Sequence, residues 1–100
     1  MKRKTSISHE EALMRELRGD PRFALEYLKA ALAEDDEPQA LLLALRRVVR
    51  ARGIAKVARA ARVERESLYR ALSKRGNPRL STLAAVTKAV GLKLTVEAAG

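Results

Sequence analysis

The chain has no cysteine, one histidine and only three aromatic side chains. Without cysteine, disulfides, thiolate metal sites and cysteine nucleophiles are excluded together. His9 stands in a polar stretch without a companion histidine, and no serine has a base or an oxyanion-stabilising pattern that sequence can indicate. No catalytic residue, no metal site and no cofactor is therefore expected, and the chain reads as a binding protein and not an enzyme. Long apolar runs are missing as well. The longest spans Ala40 to Leu45, far short of the roughly 20 residues that cross a bilayer. The start Met1-Lys2-Arg3-Lys4 is followed by polar residues and not by a signal-type apolar segment, so a cytoplasmic protein with no membrane partner is expected.

What is abundant is positive charge. The 100 residues carry 21 Lys and Arg against 12 Asp and Glu, a net of +9, with 47% apolar residues, enough for one core. The charge is unevenly placed. Residues 1–50 hold ten basic and nine acidic side chains, whereas residues 51–100 hold eleven and three, a net of +8. A positive field confined to one half favours polyanions, since each neutralised phosphate releases condensed counterions. Acidic lipid surfaces are the competing partner on composition alone.

Glycine, proline and Asx residues divide the chain into helical pieces. Ser8, with Glu10 and Glu11 behind it, caps a first helix that runs to about Arg18 before Gly19. Asp20-Pro21 reads as N-cap and first residue of a second helix, to about Glu34, with Phe23, Tyr27, Ala30 and Ala31 on one face. The acidic run Glu34-Asp35-Asp36-Glu37 reads as a linker; it lacks the glycine and alternation of a calcium loop. From Pro38, Leu41, Leu42, Leu45, Val48, Val49 and Arg52 form an apolar stripe with a basic edge, stopped by Gly53. Two short helices follow, Ile54 to Ala61 and about Arg65 to Ser73, and Arg75-Gly76-Asn77-Pro78 forces a turn. Ser81 is the expected cap of a last helix that closes at Gly91. Beyond it Leu92, Leu94 and Val96 alternate with Lys93, Thr95 and Glu97, the pattern of a short strand. A lone strand needs a partner, and the same strand from a second copy would supply one; otherwise the tail packs on its own helices or frays.

Residues 54–73 carry the functional signal. Ala58 supplies the small residue that two crossing helices need, and Val57, Ala61, Val63, Leu68 and Leu72 have the inward spacing of a helix-turn-helix. Arg65, Glu66, Ser67, Tyr69, Arg70 and Ser73 are left outside, and arginine pairs with guanine while serine and tyrosine donate to phosphates or bases. The competing reading is a helical hairpin with a solvated arginine-rich face. Against it, Ala51 to Leu80 holds nine basic and two acidic residues. Two positions depart from the ideal motif. Arg62 occupies a turn site where positive φ favours glycine, and Glu64 stands where a serine-type cap would be stronger. Glu64 and Glu66 would repel phosphates, although glutamate also accepts from cytosine N4.

From Phe23 onward the sequence resembles the addiction-module antidote proteins, HigA-like antitoxins with a lambda-repressor-like helix-turn-helix. The resemblance rests on residues 23–32 (FALEYLKAAL), 45–53 (LRRVVRARG), 66–73 (ESLYRALS), Gly76-Asn77-Pro78 and 91–96 (GLKLTV), about three-quarters of the chain. It implies an all-α, lambda-repressor-like helical bundle with a short C-terminal β-strand, in which residues 1–19 are a variable helical segment and residues 20–100 one DNA-binding domain. It also implies a RelE-like ribonuclease toxin as partner and repression of the shared promoter. By position, Arg65, Glu66, Ser67 and Arg70 would face bases, and Lys56, Tyr69, Lys74 and Asn77 phosphates. The expected assembly is a homodimer on an inverted-repeat operator of double-stranded DNA. A free-standing regulator without a toxin, and an adaptor that binds only protein, are the other readings.

Overall fold

The computed structural model describes residues 8–34 and 37–99. The basic start Met1–Lys4 and the linker residues Asp35 and Asp36 lie outside the described residues. Six helices follow one another among them: α1 (His9–Gly19), α2 (Pro21–Glu34), α3 (Pro38–Arg52), α4 (Ile54–Ala61), α5 (Arg65–Ala71) and α6 (Leu80–Ala89). None is long and apolar enough to cross a membrane.

The helix starts follow local chemistry. The Ser8 hydroxyl accepts from the Glu11 amide at 3.1 Å while the Glu11 carboxylate accepts from the Ser8 amide at 3.4 Å, so two orphan donors are satisfied reciprocally. Such a cap is worth about 1 kcal/mol. Asp20 alone separates α1 from α2, and its carboxylate accepts from the amides of Arg22 at 2.9 Å and Phe23 at 3.3 Å. Pro21 and Pro38 open α2 and α3, where a missing amide hydrogen removes nothing.

α3 is the central element. Leu42, Ala44, Leu45, Val48, Val49 and Ala51 are all buried on it, an arc of about half its circumference at 3.6 residues per turn. α1 and α2 pack against it on one side, α4 on the other. Leu17, Ala24 and Leu28 complete the core on the first side, and Val57, Ala58, Ala61, Leu68, Leu72, Val86 and Val90 on the second. Each fully buried leucine or valine contributes about 1.5–3 kcal/mol through water released from its surface.

Arginines join the helix ends. Arg18 Nε donates to the Ala51 carbonyl at 3.4 Å and Arg52 Nε to the Leu17 carbonyl at 3.3 Å, so the C-terminal turns of α1 and α3 lie side by side, each serving the other's carbonyls. Further along, Arg47 donates to the Tyr27 hydroxyl at 3.0 Å and lies 3.7 Å from the Glu10 carboxylate. The Tyr27 hydrogen bond, and then the Glu10 charge, hold its guanidinium even more firmly protonated than usual.

Gly53 makes the corner between the two halves. Its amide donates to the Val49 carbonyl at 2.9 Å, closing α3, and its carbonyl accepts from the Val57 amide at 3.0 Å, opening α4. This residue serves both helices at φ 102°, a region that glycine reaches without a Cβ penalty.

Two expectations are corrected. The last helix begins one residue before Ser81: Arg79 is its N-cap, without a side-chain bond, and the Arg79 carbonyl already accepts from the Leu83 amide at 3.0 Å. Ser81 therefore sits exposed inside the first turn. The expected strand over residues 92–97 does not form either. Leu92 donates its amide to Thr87 and packs on the core to close α6, and no other extended segment of the described chain offers a ladder, so Leu94 and Val96 stay exposed, Val96 at 94%.

The turn after α5 depends on Gly76. A Cβ there would collide with the Ala71 carbonyl and come within 2.8 Å of the Arg70 oxygen, backbone that cannot swing away. Gly76→Ala should lower stability by about 1–3 kcal/mol. Gly19→Ala, where a Cβ meets nothing within 4 Å, should be neutral or stabilise by up to about 1 kcal/mol. Thermal unfolding of the two variants checks this; equal melting temperatures would refute the close approach at Gly76.

Candidate nucleic-acid interface

α4 and α5 pack against each other through their inward residues. Val57, Ala58 and Ala61 are buried on α4, Leu68 on α5 and Leu72 just after it. Val63, half-buried in the connection, packs on the same core. Ala58, only 4% exposed, also accepts from the Val63 amide at 3.0 Å, so the turn folds back over the small residue. Arg62 sits in the turn at φ 60°, ψ 43°, the left-handed conformation anticipated for a glycine site. Glu64 is the N-cap of α5 in extended conformation and makes no side-chain cap bond.

The outward side of α5 presents Arg65, Glu66 and Arg70, all exposed. Ser67 is half-buried, so its hydroxyl is less available than spacing suggested. Tyr69 is 38% exposed, with the Arg46 guanidinium 5.6 Å from its ring centroid. Such a pair is worth about 0.5–1 kcal/mol when partly solvated, and it fixes the ring against α3. Arg46 Nε is buried with no hydrogen-bond partner. Sequence spacing did not reveal this arginine, because Arg46 and Tyr69 meet only through the packing of different helices. The Arg46-Arg47 doublet on an apolar stripe was the one available signal.

The remaining positions lie around this helix. Lys56 is exposed in the first turn of α4, and Lys74 and Asn77 are exposed in the connection after α5. Lys74 shares an open groove with Gln39, Leu43, Arg46 and Leu72, which places it beside the start of α3 and not on the outer face of α5. Ser73, expected on that face, is half-buried, and its hydroxyl donates to the Arg70 carbonyl at 2.7 Å, closing the helix. Two further exposed cations, Arg59 and Arg62, flank the turn. The arrangement offers hydrogen-bond donors and positive charge on a short helix whose opposite side is fixed in the core. Among the described residues no three His, Asp or Glu side chains gather as a metal site.

A family model described as "Probable addiction module antidote protein" matches residues 11–98. A protein of Haemophilus influenzae (strain Rd), described only as uncharacterized, is 42% identical over 71 residues, covering 71% of this chain and 72% of its own length. No solved structure matches the chain. The family match takes in α2 to α6 entire, and on it the chain belongs to the probable addiction module antidote proteins.

Proposed function

We propose that the protein is a sequence-specific DNA-binding repressor with a lambda-repressor-like helix-turn-helix, and the antitoxin of a type II toxin–antitoxin pair that neutralises a RelE-like ribonuclease and represses its own promoter. The observation that carries the DNA part is the face of α5. Arg65, Glu66 and Arg70 point outward from a helix whose Leu68 is fully buried, within a half of the chain that carries a net +8. The toxin part rests on family membership. α4 is the supporting helix, α5 enters the major groove, and residues 20–100 act as one domain. Arg65, Glu66, Ser67 and Arg70 address bases, while Lys56, Tyr69, Lys74 and Asn77 address phosphates. Two copies would place their α5 helices in successive major grooves about 34 Å apart on an inverted repeat.

The free-standing regulator remains the second reading, favoured by one observation: a chain of net +9 is poorly matched to a basic ribonuclease. Co-expression with the product of the adjacent reading frame separates the two. Copurification and rescue of growth support the antitoxin; neither, with promoter binding intact, supports the regulator.

Binding of the purified protein to its own upstream fragment, compared with a scrambled duplex at two salt concentrations, tests DNA reading. Arg65→Ala and Arg70→Ala should each cost about 1–3 kcal/mol on the cognate fragment and less on the scrambled one, and Lys74→Ala should weaken both alike. Equal losses on both duplexes would remove the arginines from base reading. Sedimentation at micromolar concentration should give a dimer, and Val96→Asp should shift it toward monomer if the exposed tail is covered in the pair. A wild-type monomer at that concentration would rule the dimer out.

A further inference from the structure

We propose that Arg62 grips a backbone phosphate of the DNA beside the helix that reads it, and that an arginine is kept there although glycine would make the fold more stable. The inference rests on the DNA-binding reading above. It comes from two helix ends closed by the same bonds. At the end of α6, Leu92 donates to the Thr87 carbonyl and Gly91 to the Lys88 carbonyl, each at 2.9 Å, with Gly91 at φ 86°. At the end of α4, Val63 donates to the Ala58 carbonyl at 3.0 Å and Arg62 to the Arg59 carbonyl at 3.2 Å, with Arg62 at φ 60°. In both, an apolar residue follows the left-handed position and packs on the core. The geometry asks for glycine twice and finds it once.

Arg62 is the one non-glycine residue with positive φ among the described residues. In that conformation the Cβ crowds the backbone, and arginine lacks the short polar group by which asparagine or aspartate eases it. Among the described residues no polar contact of the side chain compensates. The side chain is exposed, with no hydrogen-bond or ion-pair partner among the described residues. Strain held at an exposed turn by a side chain that does nothing for the fold points to a contact outside it.

Charge and position select the contact. Arg59, Arg62 and Arg65 recur every three residues around the turn and are all exposed. The same stretch carries Glu64 and Glu66, which repel a phosphate backbone just where α5 would approach it. A guanidinium at residue 62 offsets them and presents the planar donor set that phosphate oxygens accept. An acidic protein surface is the less favoured occupant, because the Lys- and Arg-rich half that surrounds the turn matches the continuous charge of a duplex.

The test uses the full-length protein, its own upstream fragment, a scrambled duplex of equal length and a salt series, with thermal unfolding alongside. Arg62→Gly should melt several degrees higher than wild type and yet bind both duplexes more weakly by the same factor. Its plot of log affinity against log salt should be shallower by about 0.9, the contribution of one phosphate. Arg62→Ala should lose the same slope without the gain in melting temperature, and Arg62→Lys should keep the slope. Wild-type affinity and slope in Arg62→Gly would overturn the proposal while leaving the DNA reading intact. Unchanged DNA binding with lost copurification of a toxin would overturn it in favour of a protein contact. Wild-type protein that binds neither duplex would overturn both.

Discussion

Everything in the fold depends on α3 being buried over half its circumference. A helix with one apolar stripe needs one partner layer; a helix whose Leu42, Leu45 and Val49 are joined by Ala44, Val48 and Ala51 needs two. α1 and α2 meet that requirement from one side and α4 from the other. The alanines matter as much as the leucines, because small side chains let a neighbouring helix approach closely. The same helix sets where the outward face of α5 is held: Gly53 turns its end into α4 without a spacer, and Arg46 reaches from it to the ring of Tyr69.

This division of labour separates stability from recognition. On α5 the fold is held by Leu68, with Leu72 at its cap, both within 2% of full burial, while the exposed side chains of Arg65, Glu66 and Arg70 make no hydrogen bond or ion pair among the described residues. Replacing the outer residues therefore changes what the helix touches and leaves its position alone. Tyr69 is the exception: through Arg46 it belongs partly to the scaffold, so changes there act on helix placement and on contact together.

Most of the architecture was legible because its punctuation is local. Ser8 with Glu11, Asp20 with Pro21, Pro38, Gly53 and Gly91 each mark an end by chemistry confined to about four residues, and each end lies where that chemistry puts it. The positive φ at residue 62 was legible in the same way, from the turn alone. What escaped was what depends on distant neighbours. Leu92, Leu94 and Val96 alternate like a strand, but alternation provides a face and not a hydrogen-bonding partner, and Leu92 closes α6 instead. Ser81 is a good cap residue placed two positions past the cap, because the chain is already helical from the Arg79 carbonyl. The Arg46–Tyr69 contact and the paired arginines at the ends of α1 and α3 join residues more than twenty positions apart, beyond the reach of any periodicity.

The uneven charge bears on how one small chain would hold two partners. Around α4 and α5 the cations dominate and suit a polyanion. On α1 and α2 the exposed Glu10, Glu11, Glu16 and Glu26 are interleaved with exposed Arg15, Arg18, Arg22 and Lys29, so a basic toxin would meet a mixed field and little net attraction. Its capture would then rest on apolar contact. The exposed leucines of this half, Leu25, Leu32 and Leu43, lie on α2 and α3, and the open groove beside Leu43 is lined by Tyr27, Ala31 and Ala44. A partner seated there would cover α2 and α3 and come close to Lys74, which lines the second groove beside Leu43, whereas Arg65, Glu66 and Arg70 line neither groove.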